Sequence, residues 1–156
     1  MIEKWESESR KLKVSSVGDS IQVGKYWNQS WNRDPKSILF MLSRYKFAAK
    51  LISQHDSVLE IGCGEGLGSH MIAQSSSSYL GIDHRSDLVD DANKRLAQAK
   101  CKFQFHDILE SAFSIKHHAT VAFDVIEHIY PNYQHEFISN AVKSTYKHGL
   151  LITGIS

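Results

Sequence analysis

The chain has 156 residues, 42% apolar and 22% charged, with a net charge of +1. That is enough for one domain with its own core, and the composition is that of an ordinary globular protein. No basic stripe points to nucleic acid, no polybasic segment to a membrane surface, and no apolar run approaches the length of a membrane span.

The start, "MIEKWESESRKLKV", is polar and charged, unlike a secretory signal. Cys63 and Cys101 have no metal-ligand spacing, and the nine histidines include no H-E-x-x-H. A reduced, cytoplasmic protein with no nucleic-acid or membrane partner is expected. Residues 1–33 are polar but carry Trp5, Tyr26, Trp27 and Trp31; "GKYWNQSW" is too aromatic for a disordered tail. This segment reads as a cap or lid on a core formed by residues 34–156.

"RDPKSILFMLSRYKFAAKLIS" predicts a helix, with Asp34 as N-cap and Pro35 at the first position. Ile38, Leu42, Tyr45, Ala49 and Ile52 give it one apolar face. A short strand follows at 57–61, a helix at 67–75 and a strand at 79–83. The next helix, 87–99, carries Leu88, Ala92, Leu96 and Ala99 on one face, with Ser86 as its cap. Strands are predicted at 101–105 and 119–123. A helix then runs from Pro131 to about Lys147, with Gly149 as its C-cap, and "LLITG" (150–154) is the last strand. Alternation of short apolar strands with helices predicts an α/β fold, a parallel sheet covered on both faces.

Between the first strand and its helix lies "GCGEGLG", with glycines at 62, 64, 66 and 68. Glycines there let a ligand approach the backbone, and the following helix offers free N–H groups. The dinucleotide pattern G-x-G-x-x-G fails, because Leu67 or Ser69 stands where the third glycine belongs. A phosphate-binding P-loop fails because Ser69, not lysine, follows Gly68. What remains is an acid, Glu60, followed by G-x-G-x-G.

"VLEIGCGEGLGS" resembles the first motif of class I S-adenosylmethionine-dependent methyltransferases. In the same order, "YLGIDHR", "FQFHDI", "FDVIEHI" and "HGLLITG" look like the motifs of that family's next four strands. The fourth is closest to the small-molecule O-methyltransferase group that includes ubiquinone-biosynthesis enzymes. The resemblance implies a Rossmann-like doubly wound sheet of five parallel strands in the order 3-2-1-4-5, and methyl transfer to a small molecule, at oxygen. The family's C-terminal helix and antiparallel strand pair are missing from the sequence. The fifth strand is therefore expected at an unprotected edge, so that the chain is either a fragment of a longer protein, the favoured expectation, or part of an assembly in which a second copy covers this edge.

The resemblance places the cofactor against Arg44, Glu60, Gly62, Cys63, Gly64, Gly66, Asp83, His84, Arg85, Asp107, Ile108 and Phe123. Asp83, 21 residues beyond Gly62, can accept from both ribose hydroxyls. Asp107 either accepts from the adenine amine, with the Ile108 backbone nearby, or caps a short helix. His84 and Arg85 either flank adenine or are exposed. Arg44 either meets the methionine carboxylate or is solvated, and Phe123 borders the methionine chain or belongs to the core.

Asp124, Glu127 and His128 stand at i, i+3 and i+4. His128, with Asp124, can serve as general base, histidine being the residue type that titrates near neutrality. Two alternatives are a divalent-cation site formed by all three residues and a purely structural turn. Relatives that use metal carry Glu-x-x-Glu-His, and Asp124 departs from that pattern; no metal is the main expectation. No D-P-P-Y-type sequence follows the fourth strand, against methylation of an adenine amino group. The competing functions are a nicotinamide oxidoreductase, disfavoured by the glycine spacing, and a non-catalytic cofactor-binding fragment.

Overall fold

A computed structural model describes residues 23–96 and 100–155. Trp5 and the rest of residues 1–22, together with Ala99, lie outside the described residues. The element order is α1 (Lys25–Arg33), α2 (Pro35–Leu51), β1 (Ser57–Ile61), α3 (Ser69–Gln74), β2 (Ser78–Asp83), α4 (Ser86–Arg95), β3 (Cys101–Phe105), β4 (His117–Phe123), α5 (Pro131–Lys143) and β5 (Thr145–Gly154). A single turn of 3-10 helix, Ile126–His128, follows β4.

The strands form one sheet in the order β3-β2-β1-β4-β5, and every neighbouring pair is parallel. Chain direction across the sheet reverses between β1 and β4. A crevice therefore opens at their carboxyl ends, where open α/β sheets bind ligands.

Alternation along the strands divides the core in two. Val58, Val121 and Phe103 face α2, α3 and α4, where they meet Met41, Tyr45, Ala48, Ile72, Val89 and Ala92. Leu59, Ile61, Ile82 and Ala122 face the other way and pack with Phe113, Phe137 and Ala141. Burying two such faces supplies the main favourable free energy of folding.

Asp34 caps α2 as expected, its Oδ1 accepting from Lys36 N at 3.2 Å. The buried face of α2 is Ile38, Met41, Tyr45 and Ala48, displaced one residue from Leu42 and Ala49. Helix α3 is shorter than its predicted span of 67–75, and α4 is capped at Arg85 without a side-chain bond from Ser86.

The largest departure is at α5. It ends at Lys143, and Gly149 lies inside β5 rather than at a helix cap. Ser144 explains the stop: its Oγ donates to Asn140 O (2.7 Å) and accepts from Phe113 N (2.9 Å). Thr145 Oγ1 then lies 2.7 Å from Thr120 Oγ1 and 2.8 Å from Ala141 O. The register jumps from His117↔Thr145 to Ala119↔Leu150, so residues 146–149 bulge from the edge. A side chain at Gly149 would run into the carbonyl of His118.

Candidate functional site

Three of the loop glycines, Gly62, Gly64 and Gly66, have φ of 73°, 53° and 72°, the left-handed region that glycine enters without steric cost. At Gly62 a side chain would also collide with Val125, whereas the direction a side chain would take from Gly64 is open space. The loop is thus closed behind and open on one side. Its N–H groups hold it to β2: Gly62 and Cys63 donate to Ile82 O at 2.8 and 3.1 Å.

A cavity of about 340 Å³ lies over the carboxyl ends of the strands. Its walls include Gly62 from the loop, Asp83, His84 and Arg85 after β2, Asp107 and Ile108 after β3, and Asp124 and His128 after β4. These are eight of the residues expected to line a site, gathered from four separate loops.

Asp83 ends β2 and is almost fully buried. Its Oδ2 accepts from Gly64 N (2.9 Å) and its Oδ1 from Arg85 N (2.9 Å). A carboxylate offers about four acceptor sites, so two remain beyond these backbone bonds, with His84 Nδ1 lying 3.5 Å from Oδ1. Asp107 Oδ1 accepts from Leu109 N at 2.9 Å, closing a turn where the alternative reading expected a short helix, and the residue also lines the cavity. His84 and Arg85 are exposed at the rim, and Arg85 pairs with Asp87 at 2.7 Å.

Asp124 adopts φ 54°, rare for a residue with a side chain. Its backbone N–H donates to Gly154 O at 2.9 Å, and its carboxylate forms an ion pair with Arg44 of α2. This pair is incompletely satisfied: Arg44 Nε and Asp124 Oδ1 are both buried without a hydrogen-bond partner. The ion pair thus leaves one buried donor and one buried acceptor unmet, a cost that water or a ligand can remove.

Other expected residues lie elsewhere. Glu60 faces the helices, not the cavity, because β1 alternates and residue 60 shares its face with Val58. It is fully buried and accepts from Tyr45, Tyr79 and Ser69. Burial pushes its carboxyl above the ordinary range, against the three hydroxyls that favour the charged form. Cys63 is buried against Gly81 and Phe103, and burial raises its thiol pKa. Gly66 is backed by Phe103 and Leu96. Phe123 is buried in the core, edge-on to Tyr45 with ring centroids 5.0 Å apart. Asp124, Glu127 and His128 do not converge: no three His, Cys, Asp or Glu side chains are grouped to hold a metal among the described residues.

Sequence reasoning missed Leu88, His106, Val125, Tyr130 and Tyr133, all of which line the cavity. His106 and Val125 follow a strand end by one or two residues, a positional signal that was available. Tyr130 and Tyr133 are reached only because the turn after β4 delivers the start of α5 to the rim.

A parallel doubly wound sheet with a glycine loop and acids at successive strand ends has the layout in which open α/β sheets take ligands at the carboxyl ends of their strands. Residues 58–149, more than half of the chain, match the family model described as "Methyltransferase domain"; the protein belongs to this family. No curated protein matches the sequence significantly.

Among solved structures, the fold is similar to that of the glycopeptide N-methyltransferase MtfA complexed with sinefungin (TM-score 0.64, 16% identity, 72% of this chain and 49% of that one). It is also similar to the DhpI-SAM-HEP complex (0.66, 12%, 81% and 57%). A third similar structure is the N-methyltransferase NodS from Bradyrhizobium japonicum WM9 in complex with S-adenosyl-L-homocysteine (0.62, 20%, 78% and 63%). The likeness at these identities is one of fold, and the chain spans between 49% and 63% of these structures' lengths. No helix of the described residues is long and apolar enough to cross a membrane.

Proposed function

We propose that the cavity holds S-adenosylmethionine and that the protein transfers its methyl group to a small molecule, at oxygen. The observation that supports this reading is the unmet pair at Arg44 and Asp124, of which Asp124 lines the cavity that also presents Asp83 and Asp107 while Arg44 stands behind it. An α-amino acid carries the complementary groups: a carboxylate to accept from Arg44 Nε and an ammonium to donate to Asp124 Oδ1. Asp83 then takes the ribose hydroxyls and Asp107 the adenine edge.

The cofactor, when bound, supplies a methyl group already activated on a sulfonium. What is left for the protein is alignment, exclusion of water and removal of a proton from the acceptor. His128 is assigned the proton, and Asp124, held by Arg44, positions the reacting end. Tyr130 and Tyr133 form the wall toward the acceptor, and α1 with Tyr26, Trp27 and Trp31 is assigned the lid. Oxygen as the acceptor atom rests on the likeness of "FDVIEHI" to the small-molecule O-methyltransferase group. The outer edge of β5 has no strand partner among the described residues, and we assign any self-association to it.

Calorimetry with S-adenosylhomocysteine and NAD tests the reading. Binding of the first and not the second is expected. Asp83→Ala should lose roughly 1.5–3 kcal/mol, about ten- to more than hundredfold in affinity. NAD binding, or unchanged S-adenosylhomocysteine affinity in the variant, contradicts it.

A further inference from the structure

Glu65 lies inside the glycine loop, between Gly64 and Gly66, yet its side chain turns away from the cavity and is 6% exposed. Both carboxylate oxygens accept from Tyr26 N at 3.1 Å, and Oε2 accepts from Trp27 N at 3.4 Å. These are N–H groups of the first turn of α1, which have no partner inside a helix.

Helix α1 cannot satisfy them locally. Its N-cap is Gly24, without a side chain, and its first turn has no acidic residue. A carboxylate from the loop therefore does the capping and meets the positive end of the helix dipole. Gly24 has φ 91°, and any side chain there would run into the Glu65 carboxylate. On the other side, Arg95 of α4 donates to Glu65 O at 2.6 Å and to Asp91 at 2.7 Å, which fixes the loop backbone. Trp27 packs against the core cluster of Tyr45 and Met41, so the cap also holds α1 to α2, the helix that carries Arg44.

We infer that Glu65 is a positioning residue that couples the shape of the cofactor loop to the docking of α1. This rests on the reading of the cavity as the cofactor site. Docking of α1 needs Glu65 placed as the loop now places it, and the cofactor needs the same loop arrangement. Each event then favours the other by the same factor, as linkage requires. Glu65 acts without touching the cofactor.

The test uses the full chain. Gly24→Ala undocks α1 without altering the loop sequence. Glu65→Met removes the acceptors at similar volume, and Glu65→Gln retains one. Two quantities are read for each: S-adenosylhomocysteine affinity by calorimetry, and amide exchange at Tyr26 and Trp27 with and without that ligand.

We expect Gly24→Ala and Glu65→Met each to weaken binding about fivefold or more. The double variant should be no worse than either, and Glu65→Gln should recover part of the loss. In the wild type, saturating ligand should slow exchange at Tyr26 and Trp27 by the same factor. Wild-type exchange that ignores the ligand, or variant affinities within about twofold of wild type, overturns the coupling even if a variant folds poorly. Absence of ligand binding in the wild type overturns the cavity reading instead. Exchange in the unliganded Glu65→Met variant no faster than wild type overturns the anchor on its own.

Discussion

Arg44 and Asp124 come from elements far apart in sequence, and each leaves one buried polar atom unmet. The proposed function gives both atoms a ligand partner. Arg44→Ala should therefore cost more than a surface charge, because it removes the proposed ligand contact and strands the Asp124 carboxylate. We expect S-adenosylhomocysteine affinity to fall tenfold or more, about 1.4 kcal/mol, with a smaller change in the fold's own stability; calorimetry beside chemical denaturation separates the two. The place of Asp83, at the end of β2 on the cavity wall, was legible from the sequence because its distance from the glycine loop is set by one strand–helix–strand unit. Glu60 and Cys63 were not, because adjacency to a motif says nothing of which face of the sheet a residue takes. Glu65 was hidden for a related reason: its partner, the start of α1, follows from tertiary packing and not from any local pattern.

Helix α2 was readable at its start, where Asp34 and Pro35 leave little choice, and every strand existed where apolar runs predicted one. The end of α5 was not readable. Lys and Ser at 143 and 144 carry no strong stop signal, and Gly149 looked like one. The actual stop is Ser144, whose hydroxyl serves Asn140 O and Phe113 N together, tying α5 to the segment between β3 and β4. Ser144→Ala leaves the buried Phe113 N–H unsatisfied and should destabilise the protein by about 1–3 kcal/mol. Urea denaturation reads this directly, and a variant within about 0.5 kcal/mol of wild type would mean that the bond is dispensable.

At the scale of the whole molecule, the sheet order, the reversal between β1 and β4 and the family match agree with one another. His117 makes its stability depend on pH in the mildly acidic range. His117 is buried near the start of β4 with Nδ1 unpartnered, and burial holds its pKa below 6.5, partly offset by a hydrogen bond to the Ile115 backbone. The unfolded chain then binds a proton more readily than the folded one. The stability from neutral His117 is full above about pH 6.5 and is lost as pH falls through the lower folded value. Denaturation midpoints measured across that window should decline with acid, and less steeply in His117→Phe; parallel curves would remove His117 as the cause.

The most direct test of the site is a crystal structure of the chain with S-adenosylhomocysteine. The ligand is expected across the carboxyl ends of the strands, its ribose on Asp83, its adenine beside Asp107 and its amino-acid end on Arg44 and Asp124. A ligand that leaves Arg44 and Asp124 unengaged, or that binds at the opposite end of the sheet beside His118 and His148, would contradict the account.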